Sequence, residues 1–253
     1  MCGIAGFYKY NMDEDAGVCN LRKMLTRIKH RGPDQSGVYI SKKVGLGSVR
    51  LSIIDLSSGT MPLSNADDSL WIVFNGEIFN YIELREDLLA KGHSFRTHSD
   101  TEVIVHLYEE YGPDFVTQLN GQFAIAIWDK NKEELFLARD RVGIRPLYYT
   151  QAGESFVFAS EIKALMEFPG ISPKLSAKGL SEYFTFWTSL SPNTVFEDIY
   201  EVPPGTYMIL TENSRNSVTF WELPIYKPEE YNNLNLDEAV TEFEKLFADS
   251  IKL

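Results

Sequence analysis

Met1-Cys2-Gly3-Ile4-Ala5-Gly6-Phe7 opens the chain, and Tyr8-Lys9 extends the run. An apolar and aromatic stretch of this kind reads as a strand that begins almost at the first residue. Cys2 follows the initiator methionine directly, and a small second residue implies removal of Met1. Cys2 would then carry a free α-amino group. A thiol is intrinsically nucleophilic, and an α-amine titrating at about 7.7–8.0 can take its proton near neutral pH. Nucleophile and base would belong to one residue. No His partner is needed, and none of the four His is placed beside Cys2 by a motif. A small residue at a strand start is usually packing, so Cys2 alone does not establish a nucleophile. Cys19, inside a helical pattern, reads as buried packing.

Outward from this strand, Val18, Leu21, Leu25 and Ile28 recur at spacings of three and four and predict a helix. It should end at His30-Arg31-Gly32-Pro33. Strands are expected around Gly37–Ile40, Val44–Arg50 and Trp71–Phe74, the last stopping at a turn made by Asn75-Gly76. One helix should bury Tyr81, Leu84, Leu88 and Leu89. A second should bury Val103, Ile104, Leu107, Tyr108 and Tyr111, opened by Ser99 and Glu102 at capping-box spacing. Strands then dominate: Phe123–Trp128, Leu135–Ala138, Ser155–Ala159 and Tyr207–Leu210, with a short helix capped by Ser176 between them. Short turns join the strands and helices flank them. The expected class is α+β, with two antiparallel sheets packed face to face and helices outside.

Composition narrows the function. Net charge is −12 over 253 residues, which speaks against a nucleic-acid surface or an anionic membrane as partner. No apolar run approaches the ~20 residues of a membrane span. Two cysteines are too few for a disulfide framework or a zinc ribbon, and no metal site is expected. Without a signal sequence, the expected compartment is the cytoplasm.

Further motifs stand in a fixed order: Arg31-Gly32-Pro33-Asp34, Arg50-Leu51-Ser52-Ile53-Ile54-Asp55-Leu56, Asn75-Gly76-Glu77-Ile78-Phe79-Asn80-Tyr81, Ser99-Asp100-Thr101-Glu102, Asn120-Gly121-Gln122-Phe123, the run from Ala138-Arg139-Asp140 through Arg145-Pro146-Leu147-Tyr148-Tyr149, and Ala159-Ser160-Glu161-Ile162-Lys163. Together with Cys2 this set resembles the glutamine amidotransferase domain of glutamine-hydrolysing asparagine synthetases. These are class II enzymes with the N-terminal-nucleophile hydrolase fold, a four-layer αββα sandwich. The resemblance implies that Cys2 attacks the side-chain amide of L-glutamine, forms a glutamyl thioester and releases ammonia. It implies an oxyanion hole from the Asn75 side chain and the Gly76 N–H, both neutral donors suited to a developing charge. It implies Arg50 on the substrate α-carboxylate, Asp100 on the α-ammonium, and Glu77 with Leu51, Ser52, Ile53 and Ile54 lining the same pocket. Arg31 and Asp34 should order the pocket loop, an ion pair between them being one way. Gln122 and Arg145 depart from the family pattern and are expected to stand clear of the chemistry.

Residues 2–224 read as the glutaminase domain. Residues 225–253 read as a linker and a helix, in which Asn235 and Glu238 have cap spacing and Leu236, Val240, Phe243, Phe247 and Ile251 form an apolar stripe. No Ser-Gly-Gly-x-Asp pyrophosphate loop occurs. The expectation is therefore an N-terminal piece of a longer enzyme, whose synthetase domain would bind ATP and magnesium and amidate aspartate. Three alternatives stay open: an N-terminal-nucleophile amidase acting on another amide, a non-catalytic module, or an ammonia donor to a carboxylate other than aspartate. Oligomeric state stays open too, with a homodimer among the options.

Overall fold

A computed structural model describes residues 2–10, 13–56, 58–227 and 234–252. The elements in chain order are β1 (Gly3–Tyr8), α1 (Glu14–Arg27), β2 (Gln35–Ile40), β3 (Val44–Arg50), β4 (Leu63–Ser64), β5 (Leu70–Ile78), α2 (Tyr81–Ala90), α3 (Asp100–Tyr111), β6 (Gly121–Asp129) and β7 (Glu134–Arg139). They continue with β8 (Tyr148–Ala152), β9 (Ser155–Ala159), α4 (Ile162–Leu165), α5 (Ala177–Phe186), β10 (Ile199–Glu201), β11 (Thr206–Leu210), β12 (Arg215–Thr219) and α6 (Leu236–Lys252). The strands form two six-stranded sheets, ordered β10-β8-β9-β1-β3-β2 and β12-β11-β7-β6-β5-β4. Every ladder in both is antiparallel.

Side chains alternate across each strand, and in the central strands β1, β3 and β9 both faces are buried. In β1, Ile4 and Tyr8 enter a core shared with Val73, Ala126, Trp128 and Leu137 of the opposite sheet. Ala5 and Phe7 point the other way, onto Leu21, Met24 and Ile28 beneath the first sheet. In the second sheet, Phe123, Ile125 and Ile127 pack on Val103, Leu107 and Phe115, residues of α3 and the 3₁₀ turn after it. The result is helix, sheet, sheet, helix, which bears out the expected sandwich. Burying apolar area at roughly 25 cal/mol per Å² in three stacked cores holds the sheets together without a disulfide.

Several local expectations need correction. β5 does not stop at Asn75-Gly76. It runs on to Ile78, with Gly76 paired to Phe123 of β6. Cys19 is exposed. Leu89 and Tyr111 lie on the solvent side of their helices, and Lys91 sits over the Tyr111 ring. No capping box forms at α3: Ser99 Oγ accepts from Thr101 N, while Glu102 reaches the N–H groups of Arg96 and Thr97. Ser176 does cap α5, accepting from Gly179 N at 3.1 Å.

The chain divides into two compact units, Met1–Trp221 and Glu222–Leu253. In the second unit Asn235 and Glu238 close a reciprocal capping box at 2.9 and 3.0 Å. The apolar stripe of α6 is exposed along its length.

Candidate active site

The register of β1 on β3 sets the site. Gly3 pairs with Val49, so Cys2 at the start of β1 lies beside Arg50 at the end of β3. The Cys2 thiol points at Leu51 O, 3.7 Å away. Burial pushes the thiol up, so the resting group is protonated and needs a base. Arg31 Nε donates to Cys2 O at 2.9 Å, and its Nη1 pairs with Glu161 at 3.1 Å. The Ser160 hydroxyl accepts from Ile4 N at 2.9 Å. The Arg31 and Ser160-Glu161 motifs therefore clamp the backbone of β1. Asp34 acts separately, accepting from Ser52 N at 2.9 Å. Among the described residues Arg31 and Asp34 make no ion pair.

The opposite sheet contributes Asn75, Gly76 and Glu77 from the far half of β5. Val73 belongs to the inter-sheet core, and Phe74 and Ile78 belong to the helix-side core. Strand alternation thus turns Asn75 and Glu77 toward the first sheet, where Cys2 stands. Asn75 is fully buried, yet neither its amide nitrogen nor its amide oxygen has a partner. A buried polar group without a partner costs about 1–3 kcal/mol, so it needs a reason. Gly76 is required by close approach: a Cβ there would lie 2.1 Å from Gln122 O of β6. Gly76→Ala is expected to destabilise the fold by about 1–3 kcal/mol, the usual cost of forcing extra volume into a packed core. A lower urea midpoint at unchanged slope would register it.

Two buried charges complete the pocket. Arg50 spreads its guanidinium over neutral acceptors only: Ile54 O at 2.7 Å, Asp55 O at 2.8 Å, Gln35 Oε1 at 3.1 Å and Ser52 Oγ at 3.3 Å. Residues 52–55 thus curl around this cation. Asp100, the first residue of α3, accepts from Ile78 N at 3.2 Å and so ties the helix to the end of β5. Burial pushes its carboxyl up to about 6, with Glu77 adding in the same direction. Among the described residues, neither Arg50 nor Asp100 has an ion-pair partner.

Cys2, Arg50, Leu51, Ile53, Ile54, Asn75, Gly76, Glu77 and Asp100 line one cleft of about 60 Å³. Of the pocket residues anticipated from sequence, Ser52 alone does not line this cleft; its hydroxyl accepts from Arg50 Nη1 at 3.3 Å. The cleft also contains Met61, Phe74, Ser99, Thr101 and Arg145. Arg145 corrects an expectation, since it faces the same cleft as Cys2. The Arg139-Asp140 stretch builds the loop that delivers it. Asp140 accepts from the N–H groups of Phe123, Val142, Ile144 and Arg145, while Arg139 Nε donates to Arg145 O at 2.9 Å. The clue lay in that run of charges, which is too dense for an ordinary turn. A larger hollow of about 640 Å³ beside α1 contains neither Cys2 nor Asn75, so size does not mark the site.

Two facing antiparallel sheets flanked by helices, with Cys2 lining a cleft, define an α+β sandwich. A glutamine phosphoribosylpyrophosphate amidotransferase from B. subtilis superposes with a TM-score of 0.62 over 87% of this chain and 49% of its own, at 22% identity. The family pattern of the glutamine amidotransferase domain matches residues 1–221, and the chain belongs to that family. Asparagine synthetase [glutamine-hydrolyzing] 3 of Bacillus subtilis (strain 168) is 36% identical over 254 residues, 99% of this chain and 41% of that protein. Asparagine synthetase [glutamine-hydrolyzing] 1 of the same organism is 38% identical, over 100% of this chain and 40% of its own length. A Gibberella zeae protein named amidase chry2 is 37% identical over 96% of this chain and 37% of its own. The chain spans about two fifths of these relatives. Among the described residues no helix is long and apolar enough to cross a membrane.

Proposed function

We propose that this chain hydrolyses L-glutamine to glutamate and ammonia through a Cys2 thioester. The ammonia passes to a synthetase domain of the same longer, cytoplasmic enzyme, residues 2–224 being the glutaminase domain and 225–253 leading into the next. That domain amidates aspartate to asparagine, and ATP and magnesium serve it there. One observation carries the glutaminase reading: a buried cation and a buried anion, Arg50 and Asp100, each without an ion pair among the described residues, line the cleft that holds Cys2. A free amino acid supplies both missing partners at once. Arg50 takes the α-carboxylate, for which a planar fork is suited, and Asp100 takes the α-ammonium. The names and greater length of the relatives support the asparagine reading.

Loss of Met1 frees the α-amine of Cys2, which accepts the thiol proton. The sulfur attacks the side-chain carbonyl carbon, a C–S bond forms, and negative charge gathers on oxygen. The unpartnered Asn75 amide and the Gly76 N–H receive that charge. As the intermediate collapses, the C–N bond breaks and nitrogen leaves as ammonia with the proton held by the α-amine. Water, deprotonated by the same amine, then attacks the thioester. The C–S bond breaks, glutamate leaves, and the departing thiolate takes back the proton held by the amine.

The experiment is to confirm loss of Met1 by mass, then assay glutamate and ammonia from glutamine and from amides that lack the α-ammonium. Preference for the latter would replace this reading with a general amidase. Its pH dependence carries a sign. Below about 6 the Asp100 carboxyl is protonated and cannot pair with the ammonium, so kcat/KM falls as pH drops through about 6. Bound glutamine stabilises the carboxylate, so the acid limb of kcat lies at lower pH. Stability runs the other way. The unfolded Asp titrates near about 3.9, so this group's contribution is full below that value and is lost as pH rises through the folded value.

A further inference from the structure

Away from the cleft, three side chains turn their donor atoms on one point. His93 stands in the connection after α2, and His106 and Glu109 stand on α3, three residues apart and so on one helix face. The two Nδ1 atoms are 3.2 Å apart. Glu109 Oε2 lies 2.6 Å from His106 Nδ1 and 3.6 Å from His93 Nδ1. Ligand atoms of a tetrahedral ion with bonds of about 2.0–2.1 Å lie about 3.3 Å from one another; the 3.2 and 3.6 Å separations are near that spacing, and the 2.6 Å one must open to admit the ion. The outer partners are also set. His93 Nε2 pairs with Glu110 Oε1 at 2.8 Å. A proton there leaves Nδ1 as a lone pair aimed into the cluster. His106 Nε2 is buried without a hydrogen bond, 3.8 Å from Glu102 Oε1. Asn65 Nδ2 donates to Glu109 Oε1 at 2.8 Å and fixes that carboxylate. An imidazole backed by a carboxylate, and a ligating carboxylate backed by an amide, is how metal ligands are oriented.

We infer that His93 Nδ1, His106 Nδ1 and Glu109 Oε2 form a site for a divalent transition-metal ion, Zn²⁺ being the ion that best suits two imidazoles and a carboxylate. A fourth position remains for water. Imidazole donors exclude Mg²⁺ and Ca²⁺ as preferred occupants. The ion takes the place of the hydrogen bond between His106 Nδ1 and Glu109 Oε2. Bound there, it staples the 91–99 connection to α3, the helix whose first residue is Asp100. The inference is independent of the reaction proposed at Cys2.

The test is zinc binding to the metal-stripped 253-residue chain carrying Cys2→Ala and Cys19→Ser, so that neither thiol adds a site. One Zn²⁺ per chain is expected, with a higher thermal midpoint when it is bound. His93→Gln should weaken binding by more than about 100-fold, and Glu110→Gln, which removes only an outer partner, by about tenfold. His98→Gln, on an exposed side chain of the same connection, should change nothing. Replacement of zinc by Co²⁺ should give the visible absorption of a four-coordinate N/O site, lost in His93→Gln. That readout does not depend on a His106 variant folding. No stoichiometric binding, or equal weakening by His93→Gln and His98→Gln, would overturn the assignment.

Discussion

Cys2→Ala is expected to reduce glutamate release from glutamine to background. Removing the nucleophile of a covalent hydrolase costs on the order of 10⁶ in kcat, and nothing else among the cleft residues can replace it. No other cysteine lines the cleft, and Cys19 is exposed on α1. Glutamine binding should survive, because Arg50 and Asp100 are untouched. Calorimetry on the alanine variant should therefore still give a saturating isotherm. Stability should change little, since Cys2 is only partly buried and the hydrogen bond its thiol makes to Leu51 O is a long sulfur contact. Retained turnover in the variant would remove Cys2 from the mechanism. Lost binding together with lost turnover would assign Cys2 to pocket structure instead.

Asn75→Ala should lower kcat by about 10²–10³, the usual cost of one oxyanion donor, with a smaller effect on KM. The second half of this expectation separates it from a packing defect. In the free protein the Asn75 amide is buried and engages nothing. Truncating it removes two unsatisfied polar atoms, which offsets the cavity left behind. The thermal midpoint should hold or rise while the rate falls. A core residue with no role in the reaction would show the opposite pairing: a lower midpoint and an unchanged kcat. Stored instability of this kind at a reacting centre is a familiar trade between stability and activity.

Much of the architecture is legible in the sequence because it rests on local patterns. The helical stripe of α1, the cap of α5 and the β-rich runs each carry their own periodicity. The end of β5 departs from the sequence reading for an identifiable reason. Asn-Gly is a strong turn signal in isolation, but here Gly76 is demanded by the neighbouring strand and Asn75 by the cleft. Long-range pairing outweighs local propensity, as it does in sheets. Leu89 and Tyr111 fit their helices' apolar period yet face outward, because the stripe is wider than the surface it covers. The candidate site is legible only as an ordered set of motifs. Spacing along the chain cannot show that Arg145 reaches the cleft, or that Arg31 answers Glu161 rather than Asp34. His106 and Glu109 share a face of α3, but His93 joins them only when the connection after α2 folds back on that helix.

The inter-sheet core described above has a consequence for how this protein tolerates change. Cys2 hangs from one sheet and Asn75 from the other, so the side chains between the sheets act as the spacer that sets their separation. Reaction rates can fall about 100-fold for a displacement near 1 Å. Swaps among Ile4, Val73 and Ala126 that conserve volume and leave the melting curve intact can still detune the chemistry. These positions are therefore answerable to two demands, cohesion and calibration, and the second is the narrower.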